Sequence, residues 1–133
     1  MTDLIEVKTA DLAGEALGWA VGVAEGLALH LEPPQYGNEW RVFAIYRGEA
    51  TERCERYNPW EAWGLGGPLF DKRCKGFGML QDGTDARYRA FAYDRPTGFS
   101  RLAGGPTILV AGCRAIAVLN FGDTVQVPKE LML

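Results

Sequence analysis

Histidine and serine are almost missing from this chain: His30 and Ser100 are the sole representatives of their types. That scarcity leaves little room for a Ser-His-Asp hydrolase, and GFSRL around Ser100 does not match the Gly-x-Ser-x-Gly turn that presents a nucleophile. His30, with no second histidine or nearby cysteine, reads as an end-of-helix residue rather than a base. Cysteine is sparse as well. Cys54, Cys74 and Cys113 are odd in number and far apart, which fits neither a disulfide framework nor the C-x-x-C pairs of a zinc site. Reduced thiols are expected, and a metal centre would have to be assembled mainly from carboxylates. Asp82 and Asp85 could form a carboxylate pair, but they flank a tight turn, where a turn role takes precedence. No catalytic residue, metal or cofactor is assigned.

Long apolar runs are lacking too. The longest, Ile108 to Leu119, is too short to span a bilayer and carries Arg114 in its middle. The N-terminal MTDLIEVK has no basic segment followed by an apolar one. No membrane association is expected, and the default location is the cytoplasm.

What the chain does have is enough apolar residue for one core: 133 residues, 47% of them hydrophobic, predict a single domain over 1–133. Seventeen glycines point to many turns or close backbone contacts. Charge is divided unevenly. Residues 1–66 hold 5 Lys+Arg and 11 Asp+Glu, a balance of −6, while residues 67–133 hold 9 and 6, a balance of +3. The asymmetry is compatible with head-to-tail homo-oligomers or a local anionic partner. The acidic total argues against general nucleic-acid binding.

Periodicity gives a coarse architecture. Leu4 to Lys8 alternates as a strand, and a helix follows with Thr9 as its N-cap, Leu12, Ala16, Trp19, Ala20, Val23 and Leu27 at helical spacing, and Gly26 as its stop. LEPPQYGNE reads as a loop, and Trp40 to Arg47 as the best strand, apolar on both faces. Residues 48–67 form a long aromatic connection. Pro68 to Lys75 reads as a short helix, and GMLQDGTDARYRAFAYDR as a hairpin turning at Asp82-Gly83 and returning over Ala86 to Tyr93. After the loop RPTGFSRLAGG, a last helix runs from Pro106 to about Phe121, is stopped by Gly122, and leads to a strand from Thr124 to Val127. The expected fold is α+β, a small, mostly antiparallel sheet with two main helices packed on one face.

Gly-Gly-Pro occurs twice, at 66–68 and 104–106, each time ahead of an apolar run. A residue before proline is held extended, as an N-cap requires, and proline suits the first helical position. Both copies therefore read as helix starts. A glycine cap has no side-chain acceptor, so the first-turn amides would turn to water, another segment or an anion.

Three blocks together, TADLAGEALGWAVGVAEG, YNPWEAWGLGGPLFDK and GGPTILVAGCRAIAVLNFGDTVQVPKEL, resemble the small phage proteins of the NinX type. The block from Gly105 to Leu131 is the most specific, with its Gly-Pro-Thr helix start, internal Arg, Gly-Asp and Pro. The family pattern has a proline one residue after Gly-Pro-Thr and an Ala-Ala-Met-Arg run where this chain has Ile108 to Arg114. It has a Tyr-Ser segment and one Trp where this chain has Tyr57-Asn58-Pro59 with Trp60 and Trp63. The resemblance implies a phage or prophage origin and action inside a bacterial host; it supplies no activity.

Candidate residues fall in three groups. Tyr57, Trp60, Trp63, Gly66 and Gly67, with Gly105 and Thr107 at the second helix start, combine aromatic surface with helix ends, the character of a ligand or peptide site, or else of a core plug beneath a long loop. Arg114 sits on a helix apolar almost all round. A carboxylate partner such as Asp123 or Glu25, or an anion, would meet its charge. Arg87, Arg89, Phe91, Tyr93 and Arg95 would share one strand face, basic and aromatic by turns, as on a single-stranded nucleic-acid platform or an exposed sheet face with arginine stems over rings. The expected function is a non-catalytic phage accessory module that binds a host or phage macromolecule, with a host or phage protein as the expected partner. Alternatives are a small anionic ligand or substrate held by helix starts and Arg114 and, more weakly, single-stranded nucleic acid.

Overall fold

A computed structural model describes residues 3–79 and 88–132. The fold is α+β, with the three α-helices expected, but the described strands divide among three small antiparallel sheets rather than one. β1 (Leu4–Lys8) pairs with β8 (Thr124–Pro128), so the two ends of the chain are stitched together. β2 (Ala28–Glu32), β3 (Arg41–Arg47) and β4 (Glu52–Arg56) form a second sheet with β3 central. β5 (Cys74–Met79), β6 (Tyr88–Tyr93) and β7 (Ser100–Gly105) form the third.

α3 (Ile108–Phe121) is the axis of the molecule. It lies against β6 and β7 and touches α1 (Gly14–Ala24) and α2 (Trp63–Arg73). Small side chains make that approach possible: Ala90 and Ala92 of β6 and Ala111, Ala115 and Ala117 of α3 are fully buried. Leu12, Leu17, Val21, Val42, Ile116 and Val127 fill the remaining interior, and burial of this kind is the main stabilising force, about 25 cal/mol per Å² of apolar surface. Gly122, at φ +77, ends α3, and its carbonyl accepts from Thr9 Oγ1 at 2.7 Å. Thr9 is therefore not the cap of α1. It opens a one-turn 3-10 helix, and Ala13 stands at the α1 cap.

Three strands depart from the expected loops. β2 includes Leu31 and Glu32, the first two residues of the expected loop LEPPQYGNE. β4, ERCER, carries almost nothing but charge and is exposed along most of its length, as suits a sheet edge that must not pair with another chain. β7, SRLAGG, is a strand because β6 pairs with it in register, Tyr88 to Gly105 through Tyr93 to Ser100. The hairpin pairing of β5 with β6 is as expected, though its Asp82-Gly83 turn lies outside the described residues.

The ion pairs tie elements together. Glu15 of α1 accepts from Val42 N at 2.8 Å and from Arg56 Nη2 at 2.7 Å. Glu25, just past α1, is nearly buried and holds Arg73 at the end of α2 through two hydrogen bonds of 2.9 and 3.1 Å.

Candidate functional site: a groove at the start of α3

Half of the twenty-residue aromatic connection, residues 52–56 and 63–67, is regular structure. After β4, the amides of Glu61 and Ala62 both bond to the Asn58 carbonyl, closing a turn, and α2 starts at Trp63. The first Gly-Gly-Pro is thus inside α2, not at its start, and Pro68 removes an amide the Gly64 carbonyl would otherwise have received. Gly66 has a different reason for being glycine. A methyl group there would come within 2.6 Å of Leu109 Cδ2 and 2.7 Å of the Pro59 carbonyl oxygen. Its bareness lets α2 close on the first turn of α3.

The second copy also differs from expectation. Gly104 and Gly105 belong to β7, and the cap of α3 is Thr107, whose Oγ1 accepts from Val110 N at 3.1 Å. The start of α3 is not glycine-capped.

Where these segments meet, a groove of about 570 Å³ opens, within the usual size of ligand and peptide sites. Its lining comes from Trp60, Glu61 and Trp63, from the stretch Pro106 to Val110, and from Tyr88 of β6. Trp60 lies with its indole edge near Gly18 of α1, where an added methyl would stand 3.2 Å from Nε1. Trp63 instead remains 58% exposed, with its ring edge-on to Phe70 at 6.3 Å between centroids. Glu61 is the one charged residue among the described lining, and its Oε2 accepts from Asn58 Nδ2 at 2.8 Å.

Of the residues singled out from sequence, the fold brings Trp60, Trp63 and Thr107 into this groove. Gly66 and Gly105 shape it from behind, and Gly67 does not line it. Tyr57 is buried and lines a separate cavity of about 270 Å³ with Glu25, Pro68 and Lys72; burial, reinforced by the Glu25 charge, raises the pKa of its phenol. Glu61, Tyr88, Ile108 and Val110 were not singled out. Glu61, Ile108 and Val110 stand beside the tryptophans or the Gly-Pro-Thr start, whereas nothing in the sequence links Tyr88 to them.

No ion pair among the described residues involves Arg114, which instead bonds backbone carbonyls and lines a separate cavity of about 360 Å³ with Arg89. The Arg114 Nε donates to the Leu12 carbonyl at 2.8 Å and its Nη1 to the Gly104 carbonyl at 3.1 Å, while Glu25 is taken by Arg73 and Lys72. The charge is met by peptide carbonyls at two segment ends, clamping β7 to the chain before α1. Burial lowers the Arg114 pKa, with nearby Asp11 opposing.

The alternation on β6 is as expected. Ala90 and Ala92 face α3, while Arg89, Phe91 and Tyr93 lie on the other face, with Phe91 43% exposed beside Leu102. Lys75 sits 5.0 Å over the Tyr93 ring. Arg95 falls in the turn beyond β6, outside that face, and Arg87 lies outside the described residues. No helix among the described residues is long and apolar enough to cross a membrane.

A family model described as Bacteriophage P22, NinX matches residues 8–119. No curated protein matches the chain.

Proposed function

The chain belongs to the bacteriophage P22 NinX family, and from that premise we propose that it is a phage accessory protein that works by binding rather than catalysis, docking a host or phage protein in the Trp60–Trp63 groove. One observation carries the reading: an indole left more than half exposed on the wall of an apolar groove whose rear is fixed by α2–α3 packing. Exposed tryptophan beside a well-packed pocket is the character of an interface anchor. An anionic small ligand is served less well by this groove, because its one described charge is that of Glu61 and Arg114 lies outside it.

Affinity capture from bacterial lysate with the tagged chain and with its Trp63→Ala variant tests this. Trp63 is exposed, so the variant should keep its circular dichroism spectrum. A stoichiometric partner recovered by the first and lost by the second is the expected result. The same protein recovered by both, or none by either, contradicts the reading.

A further inference from the structure

The groove's chemistry narrows what occupies it, and the argument rests on the docking reading above. Two indoles and the Tyr88 phenol line a cavity that also holds a single carboxylate, Glu61. Aromatic faces attract cations through their quadrupole, and the exposed Glu61 carboxylate, once covered by a docked segment, requires a positive partner. A purely aliphatic side chain would cover Glu61 without answering its charge. A phosphate or carboxylate would be set directly against it. A cation satisfies both parts of the lining.

The chain's own cations leave this demand unmet. Among the described residues, Arg41 lies over Phe43, Arg53 over Tyr46, Lys75 over Tyr93 and Arg101 over Phe99, at 5.0–5.5 Å. No such pair among them involves Trp60, Trp63 or Tyr88, and no ion pair among them involves Glu61, whose described partner is the neutral Asn58 amide. The Glu61 charge beside the rings therefore favours a basic segment.

We infer that the groove receives an arginine side chain from a polypeptide segment of the partner, its guanidinium stacked on the tryptophans and hydrogen-bonded to Glu61, with a neighbouring apolar side chain against Ile108 and Val110. Arginine fits better than lysine. Its plane stacks on an indole while its edge still offers two donors to one carboxylate, and it sheds water more readily than an ammonium.

The test compares two probes, acetyl-Leu-Arg-Leu-amide and the same tripeptide with citrulline, the neutral isostere, in place of arginine. Affinities are read from the indole N–H signals of Trp60 and Trp63 by NMR titration. The arginine peptide should bind about ten-fold more tightly. Glu61→Gln, which keeps an acceptor for Asn58, should remove most of that difference and leave the citrulline peptide unchanged. Equal affinity for the two peptides, or discrimination that survives Glu61→Gln, overturns the inference while leaving the groove as a docking site. If neither peptide moves either indole signal at millimolar concentration, the inference and the docking reading fail together.

Discussion

The same tripeptide, Gly-Gly-Pro, occupies two unlike settings here. At 66–68 it lies inside α2, with Gly66 buried and Pro68 exposed in mid-helix. At 104–106 its glycines end an edge strand and its proline precedes a threonine-capped helix. Neither is the glycine-capped start that local rules suggest. Tertiary demand decides each case: Gly66 is where α2 must touch Leu109 and Pro59, and at Gly105 a methyl would come within 2.9 Å of the Ala111 amide nitrogen and Val110 Cγ1. The two copies also serve one feature, since Leu109, pressed by Gly66 from behind, lines the groove that Pro106 and Thr107 help to open.

Substitutions within the copies can break or sharpen that contrast. Gly66→Ala should have the largest effect, a loss of about 3 kcal/mol by urea denaturation, because one of the atoms its methyl would strike is backbone and cannot swing aside. It should also disturb the groove, seen as a change in tryptophan fluorescence before unfolding. Thr107→Ala should cost about 1 kcal/mol by removing the acceptor for Val110 N. Gly67→Ala should be the smallest and opposite in sign. Nothing lies within 4 Å of its added methyl, so replacing a helical glycine should stabilise by about 0.5–1 kcal/mol. Equal losses at positions 66 and 67 would refute the claim that contact with α3, rather than helix geometry, explains the first copy.

Legibility from sequence followed the same division. β1, β3, α3, its Gly122 stop and β8 each announce themselves through alternation, helical spacing or a terminating glycine, and each stands close to where those signals put it. β4 and β7 carry no such signal: one is a run of charges, the other ends in two glycines, and both are strands because a neighbour pairs with them. Pro68 misdirected the reading of α2, since a proline's preference for the first turn was outweighed by the contacts of Gly66, Leu69 and Phe70. At the site, Trp60, Trp63 and Thr107 could be picked out by residue type. Their association with Tyr88, twenty-five residues beyond Trp63, depends on α2 and β6 packing around α3. Arg114 was recognisable as a charge on an apolar helix, but backbone carbonyls as its acceptors leave no trace in sequence.

The most direct measurement of the central claim is amide hydrogen exchange of the chain alone and saturated with the partner obtained by capture. New protection confined to residues 60–66 and 107–111 is the expected result. Protection instead on the outer face of β6 and β7, around Phe91 and Leu102, with the start of α3 exchanging as in the free chain, would contradict it.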